Sequence, residues 1–190
     1  MKNIADDCID AVCTTSTTAS EVESRMEQRS RVTQGAVTDD CTDAGGRVTQ
    51  GAVTGLIPHS GSMVLLDRIV AYDDQWLTSE LVVRGDGLFG DDEAVPAWAG
   101  IEYMAQTIAA YAGVIAKQSN EPIRLGFLLG TRRYSSNVAA FKVGSMLTIR
   151  VEKIIQDDNL GVFDCKIQGA DVDVAANINV YQPPLNNARA

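Results

Sequence analysis

The longest apolar stretch of the chain runs from residue 94 to residue 116 and carries one charge, Glu102. Such a stretch, with Pro96 near its start, is typical of a buried α-helix. A helix that is apolar on every face must be buried on every face, so we expect the carboxyl of Glu102 to be enclosed. Burial disfavours the charged form of a carboxyl. The pattern therefore predicts a protonated Glu102 that can donate a proton near neutral pH.

Shorter apolar or alternating segments on both sides of this helix predict β-strands. They cover residues 63–70, 76–84, 123–130, 146–155, 160–168 and 172–181. Asp73 and Asp74 are turn residues between the first two strands. A single helix without a polar face needs a sheet wrapped round it and a second subunit over its far side. The pattern thus predicts an α+β hot-dog fold, in which a curved antiparallel sheet surrounds one long central helix and edge strands pair between subunits.

The first part of the chain has a different composition. Residues 1–54 are rich in Thr, Ser, Asp and Gly, and they repeat the sequence RVTQGAVT at 31–38 and 47–54. Two copies are too few for a solenoid. A segment of this composition cannot bury enough apolar surface to offset the entropy lost on ordering. We therefore expect a disordered leader over residues 1–54, one domain over residues 55–184 and a short tail over residues 185–190.

The bulk composition excludes several classes of function. A formal net charge of −9 argues against binding to nucleic acid or to an anionic membrane. The apolar stretch is also unsuited to crossing a membrane. It contains Pro96, Glu102 and Gln106, and many of its other residues are alanines and glycines, which insert weakly into a bilayer. The cysteines form no C-x-x-C pair, and the chain offers almost no histidine to bind a metal together with them. We therefore expect no metal site and a reduced, cytoplasmic setting. They are Cys8, Cys13, Cys41 and Cys165, of which the last alternates with apolar residues and is expected to be buried.

Two residues offer acid–base chemistry. His59 is the only histidine of the chain and lies just before the first predicted strand. Any mechanism that needs an imidazole must use this residue. The second is Glu102, and Gln106 lies one turn further along the same face of the predicted helix. The side chain of Gln106 can hydrogen-bond to Glu102 or to a ligand.

Two segments carry a family resemblance. Residues 56–68 (LIPHSGSMVLLDR) and 102–106 (EYMAQ) resemble motifs of the beta-hydroxyacyl-acyl-carrier-protein dehydratases. Those enzymes begin with P-H-R-x-P, apolar residues and D-R, and they carry E-A-M-A-Q on the central helix. The resemblance covers about residues 55–182 and is closest to the dehydratase-like branch associated with aryl polyene synthesis. It implies removal of water from a 3-hydroxyacyl thioester to give the trans-2-enoyl product. It also implies an acyl carrier protein as partner, a homodimer or a heterodimer with a related hot-dog subunit, and no cofactor.

The resemblance also implies roles for individual residues. Glu102 matches the catalytic carboxylate of the central helix. The family's catalytic histidine lies in a G-H-F-P segment before that helix, and the corresponding residues 88–95 contain none. His59 is therefore the candidate base, acting with Glu102 as the acid. Pro58 and His59 belong to the element that lines the acyl tunnel, and Gln106 is a second candidate for contact with the substrate.

Two further roles concern the thioester oxygen and the carrier. The backbone N–H of Ala97 occupies the place of the family's oxyanion-binding glycine, at the expected start of the helix. Acyl carrier proteins are acidic, as this chain is, so docking requires a local basic patch. Arg132 and Arg133 are the first candidates for that patch, with Arg124 and Lys142 as possible helpers.

Other functions fit the same sequence. Because the G-H-F-P histidine is missing, the chain could be a catalytically silent hot-dog subunit that pairs with an active dehydratase. Hydrolysis of an acyl thioester is another activity of hot-dog proteins. The distance between His59 and Glu102 distinguishes an enzyme from a silent partner. The type and length of the acyl chain are open at this point.

Overall fold

The computed structural model describes residues 53–184 of the chain. Within this range the chain forms eight strands and one long helix. They are β1 (Arg68–Tyr72), β2 (Trp76–Val82), β3 (Ala94–Pro96), α1 (Gly100–Gln118), β4 (Phe127–Ser136), β5 (Ala140–Lys142), β6 (Met146–Asp157), β7 (Leu160–Gln168) and β8 (Asp173–Tyr181). Short 3₁₀ helices at Gly61–Met63 and Ala97–Ala99 precede β1 and α1.

Six of the strands form one antiparallel sheet in the order β1-β2-β6-β7-β8-β4, and β3 pairs with β5 separately. Side chains alternate between the two faces of the sheet. On β7, Phe163, Cys165 and Ile167 are buried between exposed neighbours. The cross-strand pairs Cys165–Ala176 and Ile167–Val174 continue this buried face onto β8. Cys165 is buried as expected, and that burial raises the pKa of its thiol. The thiol is therefore unreactive, and the side chain packs in the core.

Helix α1 packs against the buried face of the sheet. Its Met104 and Ile108 lie in the core. The hydroxyl of Thr107 donates to the carbonyl of Tyr103 and lies 2.8 Å from the hydroxyl of Ser79 on β2. Both hydroxyls are fully buried, and this contact satisfies them without water. Across residues 53–184, no helix combines the length and hydropathy that crossing a bilayer requires.

The C-terminus of α1 ends in a Schellman motif. Asn120 adopts a positive φ of 54°, which asparagine tolerates better than most residues. The N–H of Glu121 donates to the carbonyl of Ala116 at 2.8 Å, and the N–H of Asn120 donates to the carbonyl of Lys117 at 3.2 Å. Pro122 follows and cannot continue a helix. The chain therefore leaves α1 in a fixed direction toward β4.

The predicted architecture is confirmed, with differences at some element ends. β7 matches its predicted range, and β2, β6 and β8 differ from theirs by no more than two residues. β1 begins at residue 68 instead of 63, since side chains, not a neighbouring strand, bind the backbone of residues 63–65: Gln106 binds Met63 and Leu65, and Arg84 binds Val64. β4 covers Phe127–Ser136 instead of the predicted 123–130, so both of its ends lie later in the chain.

The start of the apolar stretch is not helical. Residues 94–96 form β3, in which Val95 pairs with Phe141 of β5, and the following 3₁₀ turn leads into α1. The alternation of three residues is too short to separate a strand from a helix by pattern. For this reason β3 and β5 could not be predicted from sequence.

The core of the domain begins before residue 55, the predicted boundary. Val53 is completely buried, and its carbonyl accepts the N–H groups of Leu56 and Ile57 at 2.9 and 3.2 Å. The boundary must therefore lie at or before Val53. The rest of the predicted leader, including the first copy of the repeat, and the predicted tail over 185–190 lie outside the described residues.

Candidate functional site

A cavity of about 490 Å³ runs along one face of α1. Its floor contains Glu102 and a series of small residues at helical spacing, which are Ala105, Ala109, Ala112 and Ala116. At a rise of 1.5 Å per residue, this floor extends for about 21 Å. The small side chains leave room over the helix for an extended apolar chain.

The walls of the cavity come from segments distant in sequence. They include the segment 121–126 between α1 and β4, the first residues of β4, the hairpin between β6 and β7, and the last residues of β8. Glu121 and Arg124 follow the C-terminus of α1 directly, and Lys153 lies 5.7 Å from the ring centre of Tyr111. The cavity thus has Glu102 at one end of the helix and mixed charges near the other.

His59 and Glu102 meet at the end of this cavity. Nε2 of the imidazole lies 3.6 Å from Oε1 of the carboxyl, and each side chain is 29% exposed. The expectation that Glu102 is enclosed on all sides is therefore wrong for this chain, because its helix face forms the cavity floor. Pro58 also lines the cavity, as the tunnel role predicted for it requires. The other ring nitrogen, Nδ1 of His59, is buried and has no hydrogen-bond partner among residues 53–184.

Gln106 holds Glu102 in place and does not line the cavity. Its side chain is fully buried. The amide nitrogen donates to Oε1 of Glu102 at 2.9 Å and to the carbonyl of Met63 at 2.8 Å, while the amide oxygen accepts the N–H of Leu65 at 3.0 Å. Both of its N–H donors are thereby used. The predicted contact with substrate is corrected, since Gln106 instead ties the segment after His59 to the helix that carries Glu102.

Two contacts that the sequence did not reveal position the histidine segment. A Cβ on Gly113 would lie 2.1 Å from the carbonyl oxygen of Leu56, so only glycine lets that backbone approach α1 so closely. Arg84 donates to the carbonyl of Val64 and to Oδ1 of Asp67 at 2.8 Å. A lone glycine within an apolar helix was the available signal for the first contact. The second joins residues that precede β1 to a residue that follows β2, and it leaves no local pattern.

The backbone N–H of Ala97 is not available to a substrate. It donates to the carbonyl of Ala139 at 2.9 Å, in continuation of the β3–β5 pairing. The carbonyl of Ala97 accepts the hydroxyl of Tyr134. Burial raises the pKa of Tyr134 to about 12, so this hydroxyl stays protonated and donates. The predicted oxyanion role of Ala97 is therefore corrected to a structural one.

The residues predicted for carrier docking lie apart from the cavity. Arg132 and Arg133 are exposed near the middle of β4, at an irregularity in its pairing with β8. Lys142 is exposed on β5. Of the four basic residues considered, Arg124 is the one on the cavity wall, where it also donates to the carbonyl of Pro183. Within the described part of the chain, no cluster of three His, Cys, Asp or Glu side chains could bind a metal ion.

Comparison with known proteins gives a family match and several structural matches. The family model of the ApeP-like proteins, described as ApeP dehydratase, matches residues 51–190. The dehydratase heterocomplex ApeI:P from Xenorhabdus doucetiae contains a chain that is 34% identical, with 70% of this chain and 91% of that chain covered and a TM-score of 0.65. No curated protein matches the chain.

More distant structures share less of the sequence. A hypothetical thioesterase with coenzyme A from Streptococcus pneumoniae is 16% identical, with 60% of this chain and 84% of that chain covered and a TM-score of 0.45. The PaaI protein of the phenylacetic acid degradation operon of E. coli is 10% identical, with 70% and 88% covered and a TM-score of 0.46.

Proposed function

The chain belongs to the ApeP-like dehydratase family, and from this membership we propose that it removes water from a 3-hydroxyacyl thioester held on an acyl carrier protein. The product is the trans-2-enoyl thioester. The resemblance to the aryl polyene branch suggests that the acyl chain is one used in that synthesis, in the cytoplasm.

The contact between His59 and Glu102 is the observation that carries this proposal. The usual histidine before the central helix is missing, so an active enzyme must bring its lone histidine to the helix carboxyl. The 3.6 Å separation of Nε2 and Oε1 meets that requirement within one chain. Both side chains also line the same cavity, where one substrate can touch both.

The form of the cavity supports a long apolar substrate. Its floor, from Glu102 to Ala116, extends for about 21 Å along α1, calculated from the helical rise. Ile108, Ile115 and Phe163 add apolar surface around it. An acyl chain, alkyl or conjugated, would lie in this cavity with its thioester end at His59 and Glu102.

We also propose that the chain pairs with a related hot-dog subunit along β4. β4 is an edge strand of the six-stranded sheet. Phe127, Leu128 and Leu129 on it remain exposed, with Leu129 at 59%. An edge strand with an exposed apolar segment invites pairing with another strand. The structural relative comes from the dehydratase heterocomplex ApeI:P, which supports a different subunit as the partner.

Carrier docking is proposed at one basic residue of the cavity wall and at two exposed ones away from it. Arg124 lies on the cavity wall, and Arg132 and Arg133 lie further along β4. Their charge would attract an acidic carrier despite the net charge of −9 of the whole chain.

The test of the proposed function is an assay of the purified chain with a 3-hydroxyacyl carrier substrate. The chain is measured alone and with a related hot-dog dehydratase whose own catalytic carboxyl is removed. We expect enoyl absorbance in at least the second mixture. Absence of product in both, with the chain folded, would establish the silent-subunit alternative.

A further inference from the structure

The hydrogen bonds around Glu102 have one possible direction. The backbone N–H of Leu65 can only donate, so the atom of Gln106 that faces it must be the amide oxygen. The amide nitrogen of Gln106 therefore faces Glu102, and Oε1 of Glu102 must be an acceptor. In the carboxylate form both oxygens of Glu102 are acceptors, and Oε2 has no hydrogen-bond partner within residues 53–184.

The acceptor role of Oε1 determines whether Nε2 of His59 faces Glu102 with a hydrogen or with a lone pair. Because the carboxylate form of Glu102 has no proton on Oε1, a lone pair on Nε2 would face the lone pairs of that oxygen at 3.6 Å, which is repulsive. A hydrogen on Nε2 would face the same atom attractively. A neutral imidazole carries one proton, so a hydrogen on Nε2 leaves Nδ1 unprotonated.

The surroundings of Nδ1 favour the same tautomer. For His59 to act as a base through Nε2, its proton would have to reside on Nδ1. Nδ1 is buried within the chain itself and has no acceptor among the described residues. Because this atom is already covered, neither solvent nor a docked subunit can reach it. A buried nitrogen without a partner has a desolvation cost in either tautomer, but buried N–H groups without an acceptor are rarer in proteins than unsatisfied buried acceptors.

We propose that His59 is held as the Nε2–H tautomer and that Glu102, not His59, carries the proton during dehydration. This rests on the proposed dehydratase function. It reverses the roles expected from the sequence, in which the imidazole was the base. His59 instead donates a hydrogen bond to the thioester oxygen, a task for which the engaged N–H of Ala97 is not available.

The step balances with one carboxylate. Oε2 of Glu102 takes the proton from the α-carbon, and the C–H electron pair moves toward the thioester to give an enolate. The N–H of His59 stabilises the charge on the enolate oxygen. The enolate then collapses to form the double bond between the α- and β-carbons, and the β-carbon–oxygen bond breaks. The leaving hydroxyl takes the proton from Oε2 and departs as water, so Glu102 returns to the carboxylate and His59 is unchanged.

The tautomer is directly measurable because His59 is the only histidine of the chain. ¹⁵N-labelled protein without a histidine tag is studied by long-range proton–nitrogen correlation. In that spectrum Nε2 is recognised by its coupling to the protons on both Cδ2 and Cε1. We expect the Nε2 shift of a protonated nitrogen and the Nδ1 shift of an unprotonated one in the neutral ring. A protonated Nδ1 overturns the proposal, whatever the activity of any variant.

Substitutions give a second readout. In His59→Gln the side-chain amide can donate where Nε2–H did, but it cannot act as a base. We expect H59Q to stay within about tenfold of wild-type turnover and His59→Ala to lose about 10²- to 10³-fold. Equal loss in both variants, with unchanged melting temperatures, contradicts the proposal. If the wild-type chain has no dehydratase activity even with its partner, the proposed function fails instead, and the tautomer measurement still decides the state of the ring.

Discussion

Nε2 of His59 lies 3.6 Å from Oε1 of Glu102, although the two residues belong to elements far apart in the sequence. The contact depends on two other features of the chain. Gly113 lets the backbone of Leu56 approach α1, and Gln106 links the segment after His59 to Glu102. The pair is therefore a product of helix packing, and each supporting contact can be tested separately.

Gly113→Ala should destabilise the protein and displace the histidine segment. The added Cβ would lie 2.1 Å from the carbonyl oxygen of Leu56, which is backbone and cannot move without its neighbours. Overpacking of this kind costs about 1–3 kcal/mol. We expect a lower free energy of unfolding in urea and reduced turnover. Gly126→Ala is the control for stability, because its Cβ would meet no atom closer than 3.8 Å. Equal stability of the two variants would contradict the packing argument.

Gln106→Leu should lower kcat more than it changes KM. The leucine removes the donor to Glu102 and leaves the N–H of Leu65 and the carbonyl of Met63 without their partner. Leaving the buried N–H of Leu65 unsatisfied costs about 1–3 kcal/mol, so stability should fall as well.

Ser79→Ala is the matched control for that loss of stability. It also removes a buried hydrogen bond to α1, but on the side of the helix away from Glu102. We expect lower stability with unchanged kcat. If S79A and Q106L reduced kcat alike, Gln106 would have no positioning role beyond its contribution to stability.

Leu129→Lys should weaken association with the partner subunit. Leu129 is 59% exposed on the edge strand β4, and a lysine there is a known means of blocking strand pairing. Met146→Lys is the control, since Met146 is 57% exposed at the start of β6 and not on that edge. Size-exclusion chromatography with light scattering should show dissociation for L129K alone. Intact assembly of L129K would place the interface elsewhere.

Charge reversal should separate the basic residues proposed for carrier docking. We expect Arg124→Glu to raise KM several-fold for the carrier-linked substrate and less for a small-molecule thioester of the same acyl chain. The double variant Arg132→Glu, Arg133→Glu tests the pair predicted from sequence, and unchanged turnover in it would remove those residues from docking. Lys166→Glu, exposed on β7, controls for the change in net charge.

The fold could be predicted because its pattern is local. The alternation along residues 160–168 and the apolar run before Lys117 each indicate an element by period alone. The β3–β5 pair could not be predicted, since three-residue strands have no period to detect. Its absence from the prediction also explains the error at Ala97, whose N–H is used by that pair.

The identity of the two acid–base residues could be predicted from the sequence, but the contacts that arrange them could not. Chemistry singled out His59 and Glu102, because the chain has one histidine and its apolar helix one carboxyl. The role of Gln106 and the open face of α1 depend on contacts between distant segments. Sequence could not show that Glu102 would face a cavity. A helix of small apolar residues has the same sequence pattern whether a sheet covers that face or the face lines a cavity.

Turnover of Glu102→Gln tests the central claim most directly. The amide keeps the shape and the contact with Gln106 but cannot accept or deliver a proton. We expect the variant to fold and to lose at least about 10²-fold in formation of the enoyl product. Glu152→Gln on the exposed part of β6 should retain wild-type turnover in the same assay. An E102Q protein as active as wild type would contradict dehydration at the His59–Glu102 pair.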